Sequence, residues 1–223
     1  MIIAIDGPAA SGKSTTARLV AQKLGFTYLD TGAMYRAVTY ALLEQKIPFT
    51  DVAQVSKAVA ELDIALQTKA GQTIVRVNGR DISDAIRSKR VTDRVSACSA
   101  IPVVRREMVK LQRRMGREQN CVIEGRDIGT VVFPDAEWKF YIVADVTTRA
   151  RRRLNDLNQI GESRSLETLI REINERDKKD SSRDHSPLKK AADAIEIDTS
   201  SLTIDEQVDF IIQTVTTKGK PKE

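Results

Sequence analysis

Gly7, Pro8, Ala9, Ala10, Ser11, Gly12, Lys13 and Ser14 spell a complete G-x-x-x-x-G-K-S phosphate-binding loop. Each part has a mechanical job. The two glycines let the backbone bend until successive N–H groups converge on phosphate oxygens. Lys13 can reach the β- and γ-phosphates, and the Ser14 hydroxyl can ligate Mg²⁺. Residues 1–5 form a short apolar run suited to a buried strand, and Lys13–Leu24 is helix-permissive up to a stop at Gly25. A helix beginning there adds its own positive end to an anion site. An ordinary glycine-rich turn needs neither flank. The loop predicts a nucleoside triphosphate site.

Three further clusters carry chemistry. Residues 28–36, Tyr-Leu-Asp-Thr-Gly-Ala-Met-Tyr-Arg, group hydroxyl, carboxylate and guanidinium functions. Residues 124–134, Glu-Gly-Arg-Asp-Ile-Gly-Thr-Val-Val-Phe-Pro, hold an Arg-Asp pair. Residues 175–183, Glu-Arg-Asp-Lys-Lys-Asp-Ser-Ser-Arg, alternate charge along a helix. Each has a plain reading as well. Arg176, Asp180 and Arg183 are spaced for ion pairs on a helix end. Asp30 can cap the helix after it, Ser96 can bond back to its own helix, and Arg105 can be a solvated cation.

The elements that must position these residues alternate between strand and helix. Strands are expected near 26–29, 121–123, 138–143 and 194–197, and helices near 33–46, 52–62, 102–119, 147–159, 166–179 and 204–216. Pro48 ends one helix, and Pro102 opens another. That second helix gathers Arg106, Lys110, Arg113, Arg114 and Arg117 on one face, expected to be solvated, with Met108, Leu111 and Met115 turned inward. Residues 64–82 break the rhythm: three short apolar runs around Asn78-Gly79, a strong hairpin signal, predict a small antiparallel insert. The tail, 217–223, is polar and expected to fray. Strands separated by helices predict an α/β fold with a parallel sheet flanked on both faces, and ligands at the carboxyl ends of its strands. The loops after Ile5, Leu29 and Ile123 therefore fall on one edge.

Composition narrows the partners. A net charge of +5, from 36 basic and 31 acidic residues, is explained economically by small anionic ligands. Aromatic content of 4 %, with no aromatics interleaved among the arginines at 105–117 and 149–153, argues against stacking on nucleic-acid bases. Two separated cysteines, Cys98 and Cys121, and a single histidine, His185, leave no zinc site and no disulfide framework. Trp138 and His185 read as structural. No signal peptide and no 18-residue apolar stretch is seen, so a cytoplasmic protein without membrane contact is expected. A GTPase-type switch is disfavoured by the lack of an Asn-Lys-x-Asp guanine motif.

At its three clusters the chain resembles the bacterial cytidylate kinases, nucleoside monophosphate kinases of the P-loop class; residues 125–134 are specific to that family. The resemblance covers nearly the whole chain. It implies a single three-layer α/β/α domain, with its core near 1–35, 118–147 and 190–218, a monophosphate-binding region with an antiparallel insert near 36–117, and a short helical lid near 150–185. It implies ATP and CMP or dCMP as substrates, Mg²⁺ as cofactor and a monomer. Residues 7–15, Thr15 included, would hold the ATP phosphates, with Arg152 and Arg153 of the lid as further candidates. Thr31, Arg36, Ser96, Arg105, Arg126, Asp127, Arg176, Asp180 and Arg183 would surround the acceptor, Ser96 and Asp180 holding its ribose. Lys13, Arg126, Arg176 and Arg183 would act on the moving phosphoryl group. Ser14 would ligate Mg²⁺, with Glu124 as a partner through water. The nearest alternative is a kinase for another monophosphate, such as UMP.

Overall fold

A computed structural model describes residues 1–69, 72–159 and 161–217. In chain order its elements are β1 (Ile2–Asp6), α1 (Lys13–Leu24), β2 (Thr27–Asp30), α2 (Thr31–Glu44), α3 (Val52–Ala60), β3 (Ile64–Lys69), β4 (Gln72–Val77) and β5 (Arg80–Asp81). Then come α4 (Lys89–Thr92), α5 (Val95–Ser99), α6 (Pro102–Arg117), β6 (Cys121–Gly125), β7 (Trp138–Val143), α7 (Val146–Gln159), α8 (Leu166–Ser181), β8 (Ile195–Asp198) and α9 (Ile204–Thr217).

Five strands pair in the order β2-β6-β1-β7-β8, all parallel. Successive side chains of a strand leave on opposite faces, so each apolar run feeds two cores. Ile3, Ile5, Val122 and Phe140 meet Val20 of α1 and Val208 and Ile211 of α9. Ala4, Leu29 and Ile123 meet Met34 and Val38 of α2 and Val104 and Met108 of α6. The result is the three-layer α/β/α arrangement expected. In register, Asp6 lies beside Gly125 and Asp30 beside Glu124. The ends of β1, β2 and β6 therefore share one edge, where the loops after them converge.

The insert forms as well. β3, β4 and β5 pair antiparallel, and Asn78 (φ 50°) and Gly79 (φ 78°) make the left-handed two-residue turn that Asn-Gly favours. Val75 and Val77 fasten it onto the α2 side of the core.

The structure differs from the sequence reading, or adds to it, at several places. α2 starts at Thr31 rather than 33, because Asp30 Oδ1 accepts from the Ala33 N–H at 2.7 Å and becomes the cap. It stops before Lys46, whose φ of 55° is left-handed. Residues 85–99, unassigned from sequence, form a 3₁₀ turn and the short α4 and α5. Ile128–Val132 makes a π-helical turn, with Phe133 N donating to Ile128 O at 2.7 Å. Arg113 is not a solvated cation: its Nε and Nη2 donate to the carbonyls of Val132 and Val131 at 2.9 and 2.7 Å, closing that turn. The expected tail lies largely outside the described residues, as does Ile160 within the expected lid.

Candidate active site

The phosphate loop is held by contacts that leave its inner side polar. A Cβ at Gly7 would lie 2.2 Å from the Ile142 carbonyl oxygen, so only glycine fits against β7. Gly12, at φ 94°, starts α1 without any side-chain cap. The first N–H groups of α1 have no intrahelical partner by helix geometry. Lys13 is buried with Nζ 3.0 Å from Pro8 O. Burial first, and the Arg126 charge second, lower its ammonium to about 7. Ser11 Oγ is buried and unpartnered. Thr15 is exposed on the same turn.

At the edge beside this loop, Ser14 Oγ donates to Glu124 Oε2 at 2.8 Å, and Tyr28 OH donates to Glu124 Oε1 at 2.5 Å. Burial, helped by the Asp30 charge, raises the Glu124 carboxyl. Thr31 Oγ1 donates to the Glu124 carbonyl at 2.6 Å. An alcohol facing a carboxylate is an all-oxygen pair that suits a hard cation. Among the described residues there is no cluster of three or more His, Cys, Asp or Glu that could cage a metal. Mg²⁺ is commonly held by one or two protein oxygens, with water and substrate phosphate completing its shell.

A basic network fills the space between the loop, α2, α5, α6 and α8. Asp180 is its anchor: Ser96 Oγ donates to it at 2.9 Å, Arg126 Nε at 3.0 Å, and Arg183 Nη2 lies 3.4 Å away. Burial would raise the Asp180 carboxyl, but Arg126, Arg183 and Arg176 outweigh it and hold it low. Asp127 and Arg105 form a buried ion pair, with Arg105 stacked 5.3 Å above the Tyr35 ring and bonded to Ser99 O at 3.2 Å. Arg36 pairs with Asp30 at 3.1 Å. Asp30 thus caps α2 and orients Arg36 at once. Arg176 is half-buried with its Nε shielded from solvent, and desolvation followed by repulsion from Arg126 lowers its guanidinium to about 10.

The network carries more donors than acceptors. Arg36 Nε, Arg105 Nε and Arg176 Nε are buried without a hydrogen-bond partner, and Arg183 Nη2 has its 3.4 Å ion-pair contact with Asp180 but no hydrogen bond. A buried guanidinium N–H left unpaired is costly, and Lys13, Arg126 and Arg176 also repel one another. Both deficits are those of an anion site.

The sequence model of the cytidylate kinase family matches residues 3–217. This chain belongs to the cytidylate kinase family. The cytidylate kinase of Halalkalibacterium halodurans is 50 % identical over 212 residues, spanning 95 % of this chain and 96 % of that one. The cytidylate kinase of Bacillus subtilis is 48 % identical over 219 residues, covering 98 % and 97 %. An uncharacterized protein from Eubacterium ventriosum shares the fold, with a TM-score of 0.54 at 14 % identity over 98 % of this chain and 99 % of its own.

Within this family member, the structure brings the three sequence clusters to one edge and adds members that sequence reading passed over. Ser96 reaches across to Asp180 instead of back to its own helix. Arg105 is buried, not solvated. The i,i+3 pair of Asp180 with Arg183 exists, yet Asp180 also takes Arg126 from 54 residues away. Arg152 turns to the loop, donating to Ser11 O at 3.2 Å and to Thr199 O at 2.6 Å, whereas Arg153 acts on Asp156 of its own helix. Tyr28 and Tyr35 stand in the 28–36 cluster but receive no individual role from sequence, and Ser99 and Asp6 are missed. Asp6 accepts from the N–H groups of Ile128 and Gly129 at 2.9 and 2.8 Å, fixing the π-helical turn after Arg126-Asp127. Tyr28 stands two residues before Asp30 and Tyr35 directly before Arg36, and their hydroxyls were the only available signal.

Proposed function

We propose that the protein transfers the γ-phosphoryl group of ATP to CMP and dCMP, forming ADP and CDP or dCDP, with Mg²⁺ as cofactor. The observation that carries this reading is the set of buried guanidinium N–H groups without hydrogen bonds, those of Arg36, Arg105 and Arg176 at Nε above all, beside a phosphate loop. A lone triphosphate site needs the loop; a second anion explains the arginines.

In this reading residues 7–15 cradle the ATP phosphates, and Lys13 takes the β- and γ-oxygens. Ser14 and Glu124 would hold Mg²⁺, Glu124 through water, and the ion when bound would supply positive charge against the phosphate oxygens. Arg36, Arg105, Arg126, Arg176 and Arg183 hold the acceptor phosphate, with Thr31 beside them. An acceptor oxygen attacks the γ-phosphorus, the bond to the β-bridging oxygen breaks, and Lys13, Arg126, Arg176 and Arg183 neutralise the moving group. No general base is required, because the second pKa of the acceptor phosphate is about 6. Asp127 accepts from the cytosine N4 amino group, which uracil replaces with an acceptor. Ser96 and Asp180 take the ribose. Arg152 and Arg153 belong to a lid near 150–185 that excludes water, over a core near 1–35, 118–147 and 190–218 and a monophosphate region near 36–117. The protein works as a cytoplasmic monomer.

A coupled ADP-release assay across CMP, dCMP, UMP, AMP and GMP tests the proposal. CMP and dCMP should be clearly preferred; equal use of UMP would leave a broader pyrimidine kinase, and no turnover with any acceptor would sink the reading.

A further inference from the structure

The peptide groups on both sides of Ala9, at the crest of the phosphate loop, are gripped from outside. The Ala9 N–H donates to Asp177 Oδ1 of α8 at 3.0 Å, and the Ala9 carbonyl accepts from Arg149 Nη1 of α7 at 3.1 Å. The same Arg149 Nη1 is bonded to Asp177 Oδ2, and Arg149 Nε is anchored on Ala144 O at 3.0 Å. Arg149 is 7 % exposed, too buried for a solvated surface pair. The next residue, Ala10, sits at φ 58°, which residues with a Cβ seldom adopt unless their surroundings impose it. One turn along α8 from Asp177, Asp180 gathers Ser96, Arg126 and Arg183. A single helix therefore holds the loop with one carboxylate and the basic network with the next.

We propose that Asp177 and Arg149 are positioning residues: together they fix the conformation of the Ala9-Ala10 crest and thereby set the affinity for ATP, with α8 as the frame shared by the two nucleotide half-sites. The inference rests on residues 7–15 holding the ATP phosphates. Neither side chain needs to touch nucleotide. Arg149 Nη1 serves the Ala9 carbonyl and the Asp177 carboxylate while Nε stays anchored on Ala144 O, and a lysine, with a single nitrogen, cannot hold the anchor and the crest together. Asp177 supplies one oxygen to each partner, and an asparagine would turn an N–H₂ toward a donor.

The test is calorimetric titration of ATP into the full chain without any acceptor, for the unaltered protein, Asp177→Asn, Arg149→Lys and the double variant, followed by steady-state KM values for ATP and CMP. Each single substitution should weaken ATP binding about tenfold, as expected for losing a hydrogen bond to a charged group. The double should lose no more than the worse single, because the two act as one unit. KM for CMP should stay within about twofold in both singles, the neighbouring Asp180 contacts being untouched. Unchanged ATP affinity, additive losses, or equal rises in both KM values would overturn the proposal. If Asp177→Asn does not fold, Arg149→Lys, which keeps the charge, reads the same selective ATP loss. A protein that binds ATP but phosphorylates no CMP would sink the functional reading and leave this one standing.

Discussion

Lys13 is buried among cations, and its ammonium is lowered to about 7. A bound triphosphate would supply the opposing charge and push it back up. ATP binding at pH 8 is therefore expected to take up a proton, seen as a buffer-dependent heat in calorimetry, and to weaken as pH rises above 7. Lys13→Ala should remove that uptake and lower kcat by about 10²–10³, the usual cost of losing one stabilising charge; near-normal kcat would refute its assigned role. Asp127 is the other residue whose chemistry can be isolated. Asp127→Asn should raise KM for CMP by about 10- to 100-fold, the loss of a charged hydrogen bond, and leave KM for ATP nearly unchanged. Equal effects on both would place it outside the acceptor site. The neutral side chain also leaves the buried Arg105 without its counter-charge, so the variant's stability should be measured alongside.

At the scale of elements, packing tolerances can be tested apart from chemistry. Gly116 on α6 lies where a Cβ would be 2.7 Å from Phe133 Cζ and 2.8 Å from Ile123 Cδ1. That contact lets α6 lie close on β6, and so sets how near Arg105 comes to Asp127. Gly116→Ala should destabilise the fold by about 1–3 kcal/mol, the usual cost of overpacking, read as a lower urea midpoint. Because α6 also carries Arg105, KM for CMP should rise if the helix is pushed outward. A drop in stability with unchanged kinetics would mean that Phe133 yields instead.

For the molecule as a whole, the informative group is Asp6, which ties the end of β1 to the turn after β6. Burial raises its carboxyl from the usual 3.8 to about 7, against the two N–H groups that favour its ionised form. Between these values the folded protein holds a proton that the unfolded chain has lost. Its contribution to stability is therefore full below pH 3.8 and is lost as pH climbs through 7, with a slope of at most about 1.4 kcal/mol per pH unit. Urea denaturation from pH 4 to 8 should show this decline in the unaltered protein relative to Asp6→Asn. Parallel curves for the two would refute the shift.

What the sequence determined by itself was everything encoded within a few residues. The glycines and Lys13-Ser14 fixed the phosphate loop, the alternation of apolar runs fixed the parallel sheet, and Asn78-Gly79 fixed the turn of the insert. The Arg-Asp motif at 126–127 was visible for the same reason. Pairings between distant segments were not legible. Asp180 with Arg126, Arg105 with Asp127, Asp6 with the turn at 128–129 and Asp177 with Ala9 join residues 22 to 168 apart in the chain. A carboxylate or guanidinium looks the same in sequence whether it meets water or a buried partner. Tertiary structure alone decided which charges were desolvated together, and desolvation is what turns a scatter of arginines into an anion site.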